Sequence, residues 1–99
     1  MQYTTKRNGS QIQASLSGRL TFADAAQFPQ FVDQVAKGAT VCELDLAGLT
    51  FIDSTGMSLF VHVYDAAQES GLKVVVRNAQ GMVADTLRRA SFDTLFEFK

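Results

Sequence analysis

Asp53-Ser54-Thr55-Gly56 sets a carboxylate, two hydroxyls and a glycine in consecutive positions, directly after an apolar stretch and before a run of helical periodicity. That placement puts Ser54 at a helix start. A helix N-terminus presents unpaired backbone N–H groups and a partial positive charge, so it suits a serine that carries a phosphate. Phosphorylating Ser54 would add about −1.5 to −2 charges and three strong acceptor oxygens beside Asp53. The same residue types also serve as helix caps, and on local grounds Ser54 and Asp53 both read that way. Thr55 is either a second acceptor or a support for the helix start. The unphosphorylated Ser-Thr-Gly surface, with apolar Met57 one turn on, reads as a place for a partner to dock, and Gly56 would allow close approach of backbone or partner.

The other chemistry-bearing residues form no constellation. His62 stands alone in an apolar helical run and reads as a core or edge histidine rather than a metal ligand. Cys42 is the one cysteine, so it forms no intramolecular disulfide and reads as a small buried hydrophobe, with no Cys/His set for zinc. A serine hydrolase is disfavoured, because there is no Gly-x-Ser-x-Gly and His62 lies on the helix that Ser54 begins. No P-loop is present. Asp53 after a central strand invites comparison with receiver domains, but the opening hairpin lacks their acidic pair and Lys99 is terminal. Arg88-Arg89 reads as a solvated helix end. The expectation is a non-catalytic protein with no cofactor and no metal.

Composition agrees with a soluble globular protein. Ninety-nine residues, 46% of them hydrophobic and 19% charged, make one domain able to enclose a single core. A net charge of −1 gives no general attraction to nucleic acid or an anionic membrane. Met1 to Arg7 has no apolar core of a signal peptide, and runs such as Leu59-Phe60-Val61 are too short to span a bilayer. The single cysteine, Cys42, fits a reducing cytoplasm, which is the expected compartment.

The elements that position Asp53 and Ser54 follow from turn signals and periodicity. Asn8-Gly9 predicts a two-residue type I′ hairpin turn that pairs Thr5 with Ile12 and Tyr3 with Ala14, all four on one face. Thr21 to Lys37 reads as helical, with Phe28, Phe31, Val32 and Val35 on one face and Gly38 as the stop. Pro29 implies that the helix either begins close to it or is kinked there; a kink or loosened first turn is the favoured reading, with Asp24 as a candidate cap. Val41 to Leu46 is a short strand. Ser54 to Ser70 is a helix with a stripe of Met57, Phe60, Val61, Tyr64 and Ala67, with Leu59, Val63 and Ala66 beside it, ended by Gly71. Lys73 to Arg77 is a β-branched strand of the kind buried on both faces. A helix from Gly81 to Ala90, with Val83 and Leu87 inward, and a strand over Leu95 to Phe98 complete the chain. The order β-β-α-β-α-β-α-β implies an α/β fold with a mixed, mostly parallel sheet covered by helices.

Nearly the whole chain resembles the STAS family, of the bacterial anti-sigma factor antagonist type. Ser17-Gly18-Arg19-Leu20 resembles the family's Gly-x-Leu after the second strand, and Leu44-Asp45-Leu46 its central strand. Asp53-Ser54-Thr55-Gly56 resembles its phosphorylation loop, the most specific of these pieces. Ser70-Gly71 with Val74-Val75-Val76, and the closing Leu87 to Phe98, resemble its later helix and strand steps. The chain departs from the pattern at Leu20 to Ala25, and it stops at Lys99 before the C-terminal helix many members carry. The resemblance implies that Ser54 is the phosphoacceptor and that Asp53, Thr55, Gly56 and Met57 contact a partner. That partner would be an anti-sigma factor or related serine kinase of the histidine-kinase-like ATPase fold. The unphosphorylated protein would sequester this kinase, and a metal-dependent PP2C-type phosphatase would reverse the modification. The alternative is a STAS scaffold module that is never phosphorylated.

Overall fold

The computed structural model describes every residue from Met1 to Lys99. Strands β1 (Gln2–Asn8) and β2 (Gln11–Leu20) form a hairpin, and a 3₁₀ segment (Phe22–Gln27) leads into helix α1 (Phe28–Ala36). Then come β3 (Val41–Ile52), α2 (Ser54–Ser70), β4 (Lys73–Arg77), α3 (Gly81–Arg89), a 3₁₀ turn (Phe92–Thr94) and β5 (Glu97–Phe98). The strands lie in the order β1-β2-β3-β4-β5, antiparallel in the first pair and parallel in the rest. Parallel neighbours need a crossover element, and the helices supply it. This is the mixed α/β sheet and element order that the sequence implies.

The core lies where the alternation of β2 and β3 points. Ile12, Ala14 and Leu16 on β2, and Cys42, Leu44 and Leu46 on β3, are buried, while the residues between them are half-buried or exposed. Phe31 and Val35 of α1, Leu59, Phe60 and Val63 of α2, and Val83 and Leu87 of α3 join the same cluster. On β4 three consecutive valines, Val74 to Val76, are buried, as a β-branched run in mid-sheet should be.

Four local expectations need correction. The hairpin turns at Gly9-Ser10, not Asn8-Gly9, with Gly9 at φ +63 and no positive φ at Asn8. Thr5 therefore pairs with Ala14 and Tyr3 with Leu16. A glycine in the first central position suits a type II′ turn, and the resulting shift of two residues keeps every side chain on its expected face. Strand β3 runs on to Ile52, past Leu46, because two bulges hide it from a period-two reading. Between Ser15 and Ser17, and again between Gly18 and Arg19, β3 carries one more residue than β2, so Leu46, Leu49 and Ile52 are buried at intervals of three. The buried face of α2 is Gly56, Leu59, Phe60, Val63 and Ala67; Val61 is 45% exposed, and Met57 and Tyr64 are half-buried. The last strand is only Glu97–Phe98, since Phe96 instead stacks on Phe92 at 5.9 Å within an aromatic cluster that includes Phe60.

Pro29 lies in the first turn of α1, where its missing N–H costs nothing, and the loosened turn before it is the 3₁₀ segment. Thr21 and Asp24 form a reciprocal capping box at the start of that segment. Beyond Asp45, β3 has lost β4 as a neighbour, and side chains take over. Asp45 Oδ1 accepts from the Ala47 N–H and from Asn78 Nδ2, each at 3.0 Å, and Gln80 Nε2 donates to the Ala47 carbonyl at 3.3 Å.

Gly56 sets the seat and rotation of α2. A Cβ there would lie 2.3 Å from the carbonyl oxygen and 2.9 Å from the carbonyl carbon of Leu20, so the helix start rests directly on the end of β2. Backbone cannot yield as a flexible side chain would. We therefore expect Gly56→Ala to destabilise the domain by about 1–3 kcal/mol in urea unfolding, the cost typical of overpacking.

Asp24 is the one buried charged residue, with Oδ1 2.6 Å from the Met1 ammonium and Oδ2 accepting from the Thr21 N–H at 2.9 Å. Burial works to raise its pKa, but the ammonium and the Thr21 bond outweigh it and hold the carboxyl below its ordinary 3.8. A depressed folded pKa contributes stability that is present above the unfolded value and is lost as pH falls through the folded one. Asp24→Asn should cost about 1–2 kcal/mol near neutral pH. The gap between the variant and the parent chain, followed by denaturation against pH, should close below pH 3.8.

Candidate functional site

β3 ends at Ile52, and Asp53 turns the chain into α2 with extended backbone angles, φ −103 and ψ −177. Asp53 is the N-cap. Its Oδ1 accepts from the Gly56 N–H at 2.6 Å and its Oδ2 from the Phe22 N–H at 3.1 Å, while its own N–H donates to the Leu20 carbonyl at 3.2 Å. One half-buried carboxylate thus holds the start of α2 against the exit of β2. Of the two roles open to Asp53 in the sequence, the geometry fills the capping one.

Ser54 is therefore the first residue of the helix rather than its cap. It is exposed, and its hydroxyl makes no hydrogen bond within the chain. The first helical bond runs from the Met57 N–H to the Asp53 carbonyl at 2.9 Å, so the Ser54 and Thr55 amides lie outside the helical ladder. An oxyanion on Ser54 would meet these two amides and the positive end of a 17-residue helix. Thr55 is half-buried, and its carbonyl accepts from Ser58 Oγ at 2.5 Å. Met57 is half-buried against the core. Gly56 is buried, so its missing side chain answers the approach of this chain's own Leu20.

Sequence reasoning missed two neighbours of Ser54. Phe22 is 73% exposed although its N–H is held by Asp53, which makes it the most exposed large apolar side chain of the molecule. Val61, two turns along α2, shares the outer ridge with Ser54, Ser58 and Asp65 at the i, i+4, i+7, i+11 spacing of one helix face. The Thr21-x-x-Asp24 capping box was a legible signal for Phe22, because it places that residue in a solvent-facing first turn. Nearby, the Arg19 guanidinium lies 4.1 Å over the Phe51 ring.

The remaining candidates are structural. Cys42 is fully buried, and burial together with Glu43 pushes its thiol up to about 12, far from a reactive thiolate. His62 is exposed on α2, not in the core, with its ring 6.5 Å from that of Phe28. No group of three or more His, Cys, Asp or Glu is placed to hold a metal, and no helix is long and apolar enough to cross a membrane.

Comparison with known proteins matches this architecture. A putative anti-sigma factor antagonist from Thermotoga maritima superposes with a TM-score of 0.85 at 18% identity, covering 97% of this chain and 84% of that one. The Bacillus cell fate determinant SpoIIAA in its phosphorylated form gives 0.70 at 13% identity, over 99% and 91% of the two chains. A sulfate transporter family protein from Wolinella succinogenes gives 0.73 at 20% identity, over 87% and 74%. At these identities the likeness is one of fold. No relative of curated function matches the sequence. The family model described as "Mlab, STAS domain" matches residues 3–97. With that match over nearly its full length, the chain belongs to the STAS domain family.

Proposed function

We propose that this STAS domain is a non-catalytic, phosphorylation-controlled interaction switch of the anti-sigma factor antagonist kind, with Ser54 as the acceptor. The observation that carries the reading is the exposed Ser54 hydroxyl, free of any bond in the chain, at the first position of a rigidly capped helix. A kinase can reach such a hydroxyl without unfolding anything. The reading is supported by the fold shared with SpoIIAA, whose structure is known in a phosphorylated form.

The electrostatics favour a change in binding over a change in fold. Both Asp53 oxygens already accept backbone N–H groups, which offsets part of their repulsion of a new dianion. The Ser54 and Thr55 amides and the helix dipole stabilise the phosphate where it stands, by about 0.3–1 kcal/mol. A partner seated on Ser54, Thr55 and Met57, with Phe22 beside them, would have to desolvate that phosphate. A coupling of about 3 kcal/mol lowers affinity roughly a hundredfold, which suffices for release. In this scheme the partner is an anti-sigma factor or related serine kinase of the histidine-kinase-like ATPase fold. A PP2C-type phosphatase restores the binding form, and the circuit operates in the cytoplasm. Asp53 acts by holding the helix start in place for the kinase.

A non-phosphorylated STAS scaffold is the second reading. It is favoured by the same fold in a sulfate transporter family protein, and it needs the Ser54 surface only as a contact.

Peptide mass spectrometry after incubation with the cognate kinase and ATP should place phosphate on Ser54, and Ser54→Ala should abolish most labelling. Persistent full labelling of that variant, on Thr55 or elsewhere, would contradict the assignment. In a titration against the partner, Ser54→Asp should weaken binding at least severalfold, whereas Ser54→Ala should leave it near the parent value. Equal affinities for all three proteins would favour the scaffold. Phosphorylation itself should shift stability in urea by no more than about 1 kcal/mol, because the exposed helix start accommodates an anion.

A further inference from the structure

Helices α1 and α2 run side by side, and an open groove of about 810 Å³ lies between them. Its floor is apolar, formed by Phe28 and Val32 of α1 and Ala66 of α2; Val32 and Ala66 are only half-buried, so each leaves apolar surface toward the groove. Its rims are acidic on both sides. Asp33 stands on the α1 wall and Asp65 and Glu69 on the α2 wall, all exposed and none in an ion pair within the chain. Lys37 is the only lysine or arginine lining the groove and lies at the end of α1. From Ser58 to Glu69 the α2 wall is about 17 Å long at 1.5 Å per residue, which accommodates roughly three turns of a third helix.

An apolar floor between two acidic rims is the complement of one surface in particular: an amphipathic helix with an apolar stripe flanked by lysine or arginine. Apolar contact supplies the affinity in helix-in-groove recognition, and the flanking charges supply orientation and partner choice. An acidic helix of the same apolar pattern would meet like charge on both walls. We infer that the α1–α2 groove is a docking site for a basic amphipathic helix of a partner protein. The groove reaches Ser58, one turn along α2 from Ser54, but Ser54 does not line it and the inference does not require that hydroxyl to be phosphorylated, so the two readings can fail independently.

The test uses the full chain and two synthetic amphipathic peptides of about fourteen residues, with leucine on one face and either lysine or glutamate on the other. In an NMR titration the lysine peptide should bind and shift the amides of Val32 and Ala66, and the glutamate peptide should not. The double variant Asp65→Lys, Glu69→Lys changes only exposed residues, so the fold is kept. It should lose at least about tenfold in affinity for the lysine peptide and gain binding of the glutamate peptide. Ser54→Ala should bind the lysine peptide like the parent chain. Equal binding of both peptides by the parent chain would overturn the inference, as would shifts centred outside the groove, unchanged affinity in the double variant, or a groove filled by self-association of the chain in sedimentation.

Discussion

The Asp53 carboxylate carries the geometry of the site. Its two oxygens accept from Gly56 at the start of α2 and from Phe22 just past the end of β2. Two segments 31 residues apart in sequence are joined through one side chain. The contact is possible only because Gly56 lets the helix settle onto the Leu20 carbonyl. Cap, close approach and crossover therefore form one unit. With the N3 amide consumed by the cap, the two amides that remain are those nearest Ser54, which focuses the anion-accepting capacity of the helix end on that residue.

This arrangement explains why a charge-bearing group could be tolerated at Ser54 without rebuilding the domain. The helix start is held from below, by Leu20, and from the side, by Asp53, while Ser54 itself is exposed. A partner would sense the ridge and the core would not. Phe22 adds an exposed aromatic ring to the same end of the molecule, and aromatic residues are favoured anchors in protein interfaces.

Much of this was legible in the sequence where the signals are local. Ser54 to Ser70 matches its expected bounds because the cap residues and Gly71 mark both ends, and Lys73 to Arg77 does so because a β-branched run needs no partner to be recognised. What stayed hidden depends on pairing between distant segments. The second half of β3 lies past the expected strand end at Leu46 because its bulges arise from a mismatch in length with β2, which no single segment reveals. The rotation of α2 was misjudged because Val61 is as apolar as its buried neighbours, and only the contact between Gly56 and Leu20 decides which side turns inward. The N-cap fell to Asp53, one residue before Ser54, since both types cap well and local sequence does not rank them.

The overhanging half of β3 has one more consequence. A strand that loses its neighbour partway along the sheet exposes a row of main-chain donors and acceptors, which is a template on which a foreign strand can add. Here Asp45, Asn78 and Gln80 occupy that row at its most vulnerable point, where β4 turns away at Arg77. They satisfy the Ala47 N–H and carbonyl, so that point of the row is not open to a foreign strand. A domain with a strand end beyond its neighbour stays monodisperse more readily when such groups are satisfied, and three polar side chains contribute to that here.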